Sequence, residues 1–128
     1  MKTPISFRII LVAAALAALG ACAMYPTTGQ PALVGTWTNS LGTVWRLNSD
    51  STFTVDLNHD GKTDVSGKYS VSNDMLTINE VHGKTPKACK GAATYKFART
   101  DKNSLQFTLV SDKCKLRVKN VTQPWKRK

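Results

Sequence analysis

The chain reads as an all-β protein: a single small antiparallel up-and-down β-barrel of about eight strands. Three observations predict this. From residue 34 onward apolar and polar side chains alternate with a period of two, compact turn signals interrupt the alternation, and no helical period of useful length develops. Strands are expected around Val34–Asn39 and Thr43–Asn48. Phe53, Val55 and Leu57 then alternate with Thr54 and Asp56, and Val65, Tyr69 and Val71 with Ser66, Lys68 and Ser70. Leu76 with Ile78, Tyr95 with Phe97, and Leu105, Phe107 and Leu109 continue the pattern. The last strand is expected where Leu116 and Val118 alternate with Lys115, Arg117 and Lys119. Turn signals separate the runs: Asn48-Ser49-Asp50, Asp60-Gly61, Ser72-Asn73-Asp74, Asp101-Lys102-Asn103 and Ser111-Asp112. Short strands joined by tight turns favour a meander, and closing it removes exposed edges. The competing arrangement is a two-sheet sandwich.

Before the strands comes a different kind of segment. Lys2 and Arg8 give a basic start, Ile9–Leu19 is unbroken apolar sequence, and Leu19-Gly20-Ala21-Cys22 follows. This has the form of an export signal, and its apolar core is short for a membrane span. The Leu-Gly-Ala-Cys ending resembles the lipobox of bacterial lipoproteins. That resemblance implies cleavage before Cys22, lipidation of Cys22, and anchoring in a membrane through the lipid. Ala23 stands where relatives retained at the inner membrane often carry Asp, so the implied location is the outer membrane, facing the periplasm. A conventional cleavage near Ala21-Cys22-Ala23 is the alternative. The expected organisation is a signal peptide over 1–21, a lipidated cysteine and flexible tether over 22–32, the barrel over 33–123, and a basic tail over 124–128.

Charge and cysteines fit an exported domain. The chain carries 18 Lys and Arg against 8 Asp and Glu, and 13 of the basic residues but only 2 of the acidic ones lie beyond Val81. Export argues against nucleic acid and points to lipid headgroups, anionic envelope polymers or an acidic partner; solvated lysines that only aid solubility are the plain alternative. With Cys22 lipidated, Cys89 and Cys114 remain, and an oxidising compartment favours a disulfide between them over two free thiols.

Gly35-Thr36-Trp37 resembles the Gly-x-Trp start of lipocalins, and Trp37-Thr38-Asn39-Ser40-Leu41-Gly42-Thr43 is similar to the first hairpin of avidins. Asp50-Ser51-Thr52-Phe53 and Gly67-Lys68-Tyr69-Ser70-Val71 are similar to small bacterial lipocalin-like lipoproteins of unassigned role. Trp37, Asn39, Thr43, Trp45 and Leu47 share one parity across the first hairpin and are candidates to face a ligand, and the resemblance implies that Asn39 and Thr43 supply its polar contacts. It also implies a late arginine packed over the first-strand Trp37, a part Arg117 is placed to play. The later aromatic wall of avidins has no counterpart here, and a barrel filled by its own side chains is the alternative.

The sharpest chemical motif is Asp56-Leu57-Asn58-His59-Asp60-Gly61-Lys62-Thr63-Asp64. Oxygen side chains at alternating positions with a glycine at the bend suit a hard cation such as Ca²⁺, with Asp56, Asn58, Asp60, Asp64 and the Lys62 carbonyl as ligands. The pattern resembles calcium loops between strands more than a helical EF-hand, since Gly67 stands where the latter needs its bidentate acid. A polar hairpin without an ion is the alternative. A third feature is the expected basic face of Lys115, Arg117 and Lys119. His59 and His82, the only histidines, have no partner at a recognisable catalytic spacing. These readings together predict a monomeric, non-catalytic, lipid-anchored envelope barrel that binds a small apolar ligand or an anionic envelope component, with a structural Ca²⁺ in one hairpin. The alternatives are a periplasmic enzyme inhibitor, or a structural lipoprotein using its basic face.

Overall fold

The computed structural model describes residues 24–128; the expected signal peptide and the lipidation site Cys22 lie outside the described residues. Eight antiparallel strands form a closed barrel in sequence order. They are β1 Gly35–Asn39, β2 Val44–Leu47, β3 Thr52–Asp56, β4 Val65–Ser72, β5 Met75–Gly83, β6 Ala93–Asp101, β7 Ser104–Ser111 and β8 Trp125–Arg127, with one short helix, α1 Lys115–Val121, before β8. The ring closes where β8 pairs with β1 through Trp37–Arg127 and Asn39–Trp125. The barrel is the expected one and is consistent with a lipocalin-like fold.

The alternation that predicts the strands also fills the barrel. Along β6, Ala93, Tyr95, Phe97 and Arg99 are buried while the residues between them face outward. Trp45 sits at the centre, with ring centroids 5.3 Å from Phe107, 5.4 Å from Trp125 and 6.2 Å from Phe53. Such offset and edge-on contacts add to the burial of large apolar surface. Gly67 of β4 makes room for the neighbouring backbone: a Cβ there would stand 1.8 Å from the Glu80 carbonyl oxygen and 2.8 Å from the Phe53 ring. Gly67→Ala is therefore expected to lower stability by about 1–3 kcal/mol in urea denaturation, because the carbonyl belongs to a paired strand.

An up-and-down barrel puts alternate connections at opposite ends. At one end lie the turns after β2, β4 and β6; at the other lie those after β1, β3, β5 and β7. The first end is plugged. Residues Gln30–Ala32 form a 3-10 turn, Ala32 and Leu33 are fully buried, and the Leu33 carbonyl accepts from the Trp37 indole N–H at 2.9 Å. Arg99 donates to the Ala32 carbonyl at 3.0 Å, and its guanidinium lies 5.0 Å from the Trp37 ring and 4.9 Å from Tyr25. Arg127 lies 4.4 Å from the same Trp37 ring. A Cβ at Gly35 would meet the Arg127 guanidinium at 2.5 Å, so the glycine of Gly35-Thr36-Trp37 leaves space for the cation that covers the tryptophan.

Four expectations about the chain's ends are corrected. The tether expected over 22–32 is in part domain, since Gln30–Ala32 plugs the barrel and Tyr25 packs on Arg99. The tail expected over 124–128 contains the closing strand, with Trp125 buried. The last strand expected around Leu116 and Val118 is instead α1, capped at its start by the Cys114 sulfur, which accepts from the Arg117 N–H. The arginines over Trp37 are Arg99 and Arg127, whereas Arg117 belongs to the far end of the barrel.

Candidate functional site

At the end away from the plug the barrel holds a cavity of about 230 Å³. Strand residues Trp45, Phe53, Val65 and Ile78 line its wall, and Leu57, Lys84, Thr85 and Leu116 belong to the connections around its mouth. Two segments cap it: α1, and the 3-10 turn Lys87–Cys89 between β5 and β6. Leu116 is 65% exposed although it lines the cavity, so an apolar side chain stands at the rim.

Among the described residues, two polar atoms of residues in this lining are buried without a hydrogen-bond partner, the Trp45 indole nitrogen and the Thr85 hydroxyl. The other two tryptophans satisfy theirs: Trp37 on Leu33, and Trp125 on the Val121 carbonyl at 2.8 Å. An unmet buried donor costs about 1–3 kcal/mol, so a barrel that keeps one beside a cavity is placed to give it to a ligand acceptor.

The cap is fixed by covalent and ionic bonds. Cys89 and Cys114 form the expected disulfide, tying the 3-10 turn to the start of α1. Arg117 clamps the same junction. Its Nε and Nη2 donate to the two Asp112 carboxylate oxygens at 2.6 and 2.7 Å, Nη1 donates to the Cys89 carbonyl at 2.9 Å, and Nη2 also reaches the Gly91 carbonyl at 3.0 Å. Tyr95 donates a short hydrogen bond to Asp112 from inside the barrel. Burial alone would raise the Asp112 pKa, but the hydrogen bonds from Arg117, Tyr95 and the Cys114 N–H outweigh it and hold the carboxyl below its usual range. Burial, then the adjoining Asp112 carboxylate, push the Tyr95 hydroxyl well above the ordinary phenol range.

The structure divides the four residues expected to bind ligand. Thr43 and Trp45 line the cavity. Trp37 is in the plug at the other end. Asn39 is consumed in bracing the cap: its amide donates to the Asn120 side-chain oxygen at 2.6 Å, and its own oxygen accepts from the Leu41 and Thr43 N–H groups at 3.0 and 3.2 Å. Asn120 in turn donates to the Thr43 hydroxyl oxygen at 2.9 Å. The polar pair implied by the avidin-like hairpin is thus a structural network joining β1, β2 and α1. The expected basic face is divided too, for Lys115 and Lys119 are exposed on α1 while Arg117 turns inward to Asp112. Sequence reasoning missed Asp112, Lys84 and Thr85; Asp112-Lys113-Cys114, an acid two residues before a helix-capping cysteine, is the one local signal available for the first of them.

The acidic hairpin lies at the same end, between β3 and β4. Asp56, Asp60 and Asp64 each present an oxygen within 4.8 Å of the others. Asp56 accepts from the N–H groups of Asn58, Asp60 and Gly61 at 3.3, 3.2 and 2.8 Å, and Asp64 from the Leu57 N–H at 2.8 Å. Lys62 gives its N–H to Asp60 at 2.8 Å. The loop holds Asp56 ionised: burial works against the charge, and the Gly61, Asp60 and Asn58 amides overcome it. The Asn58 amide stands 3.1 Å from Asp56 and 3.1 and 3.2 Å from the two Asp60 oxygens, donating to them in one orientation and adding a fourth oxygen to the cluster in the other.

Comparison with protein-family models, with curated proteins and with solved structures gives no match for this chain. The fold and cavity define a class, a capped eight-stranded barrel with an apolar cavity, and its function is argued from the site itself.

Proposed function

We propose that this chain is a non-catalytic binding protein of the cell envelope, anchored by lipid at Cys22, whose barrel holds a small apolar molecule bearing a hydrogen-bond acceptor. The observation that carries the reading is the buried, unpartnered indole N–H of Trp45 beside an apolar cavity. A cavity of about 230 Å³ lies between the roughly 150 Å³ that accommodates benzene and the roughly 300 Å³ at which drug-sized sites begin, so the ligand is small. The test is native mass spectrometry of residues 23–128 exported through a periplasm. A stoichiometric organic adduct is expected, weakened by Trp45→Phe, which keeps an apolar ring and removes the donor. A polypeptide that stays bare, both as purified and after exposure to small apolar compounds, would overturn the reading.

The hairpin supports a second component, a structural Ca²⁺ held by Asp56, Asn58, Asp60, the Lys62 carbonyl and Asp64. Its basis is the approach of three carboxylates to within 4.8 Å of one another, which a divalent ion would relieve. Millimolar CaCl₂ is expected to raise the melting temperature by a few degrees, on the order of 1 kcal/mol, and Asp60→Ala to abolish the rise. An unchanged melting temperature with no calcium-sized mass adduct would leave the loop a polar turn only.

A further inference from the structure

We infer that the ligand of this cavity is an anion, a small monocarboxylate whose apolar body lies against Phe53, Val65 and Ile78 and whose carboxylate accepts from the Trp45 N–H, Thr85 and Lys84. This rests on the ligand-binding reading above and adds the charge of the ligand.

The first support is the inventory of groups facing the cavity. Among the described residues its lining includes Lys84 and Arg117 but no Asp or Glu. Arg117 is neutralised by Asp112 and gives four of its five N–H groups to that carboxylate and two carbonyls, whereas Lys84 is exposed and, among the described residues, pairs with no carboxylate. The Trp45 N–H, the Thr85 hydroxyl and the Lys84 ammonium can all donate. Thr43 and Asn120, the other polar groups of the lining, already bond to each other. A ligand bringing acceptors satisfies this set, and one bringing an ammonium group finds no carboxylate in the lining.

The second support is the field around the mouth. The four connections at this end, 40–43, 57–64, 84–92 and 112–124, hold eight Lys and Arg against three Asp, a net charge of +5. The three connections at the plugged end, 48–51, 73–74 and 102–103, hold one Lys against two Asp, a net charge of −1. Charge of one sign around an apolar cleft concentrates ligands of the other. The acidic hairpin opposes this locally, yet Asp56 and Asp64 already accept from backbone N–H groups of their own loop.

The third support is size. Scaling from benzene in roughly 150 Å³, the cavity holds about nine non-hydrogen atoms, the size of benzoate or heptanoate. The exposed Lys84 at the mouth also gives that carboxylate a counter-charge, so it is not buried unpaired.

The test is a calorimetric titration of the exported domain with benzoate and heptanoate, and with benzamide and heptanamide, which match their shapes without charge. The acids are expected to bind about fivefold or more tightly than the amides at low salt, with the advantage shrinking as ionic strength rises. Lys84→Gln is expected to weaken the acids about three- to fivefold more than it weakens the amides. Amides that bind as well as the acids, or acids indifferent to Lys84→Gln, overturn the charge assignment and leave the cavity reading in place. If neither acids nor amides bind, both fall.

Discussion

Asp112→Ala is expected to destabilise the protein by about 3–5 kcal/mol, the largest effect of any single substitution discussed. The Asp112 side chain is fully buried and that of Arg117 is 12% exposed, so removing the carboxylate leaves a guanidinium with two carbonyls and no counter-charge. Tyr95 also loses its acceptor inside the barrel. The same clasp predicts an acid limit to stability. Because the folded-state pKa of Asp112 is depressed, its contribution is complete above the unfolded value near 3.8 and is lost as the pH falls through the lower folded value. Urea denaturation from pH 7 down to pH 2.5 therefore shows a fall in wild-type stability below about pH 4 that is smaller in Asp112→Ala. Equal pH profiles in the two proteins would show that other carboxylates set the acid limit.

Breaking the disulfide gives the second large effect. Cys89 and Cys114 are 25 residues apart, and replacing both with Ser is expected to cost about 2–4 kcal/mol. For a domain of this size that lowers the melting temperature by on the order of 15 °C, readable by calorimetry. The consequence extends to binding, since both cysteines line the cavity and fasten the two capping segments to each other. Arg117 still joins α1 to the Cys89 and Gly91 carbonyls, so the double variant is expected to fold and to bind ligand more weakly. Unchanged affinity would show that the cap is held by Arg117 alone.

The barrel was legible because its strands need little beyond alternation. In β4, β6 and β7 most residues singled out by period two, Val65, Tyr69, Tyr95, Phe97, Leu105 and Phe107, are buried, while Val71 is half-buried and Leu109 is exposed. The chain's end misleads for a definite reason. Leu116 and Val118 alternate with cations as a strand would, but Cys114, Val118 and Val121 also fall at helical spacing, and the Cys114 cap selects the helix. Strand β8 has three residues, too few for a pattern, and its Trp125 reads as a tail until the barrel places it beside Trp45. The site was legible in part. Thr43 and Trp45 are where the first hairpin puts them, while Lys84 and Thr85 reach the cavity only because barrel closure brings the β5–β6 connection over it. That the Trp45 N–H lacks a partner while Trp37 and Trp125 have one is a property of three-dimensional packing that no spacing in the chain encodes.

The claim that the cavity takes a ligand on Trp45 is tested most directly by the three tryptophan indole N–H resonances in a ¹H–¹⁵N spectrum. During titration with benzoate, heptanoate, benzamide and heptanamide, the Trp45 resonance is expected to move to lower field as its N–H gains an acceptor. Trp37, bonded to Leu33 at the plugged end, is expected to stay in place. A Trp45 resonance that remains fixed through all four titrations would contradict the account.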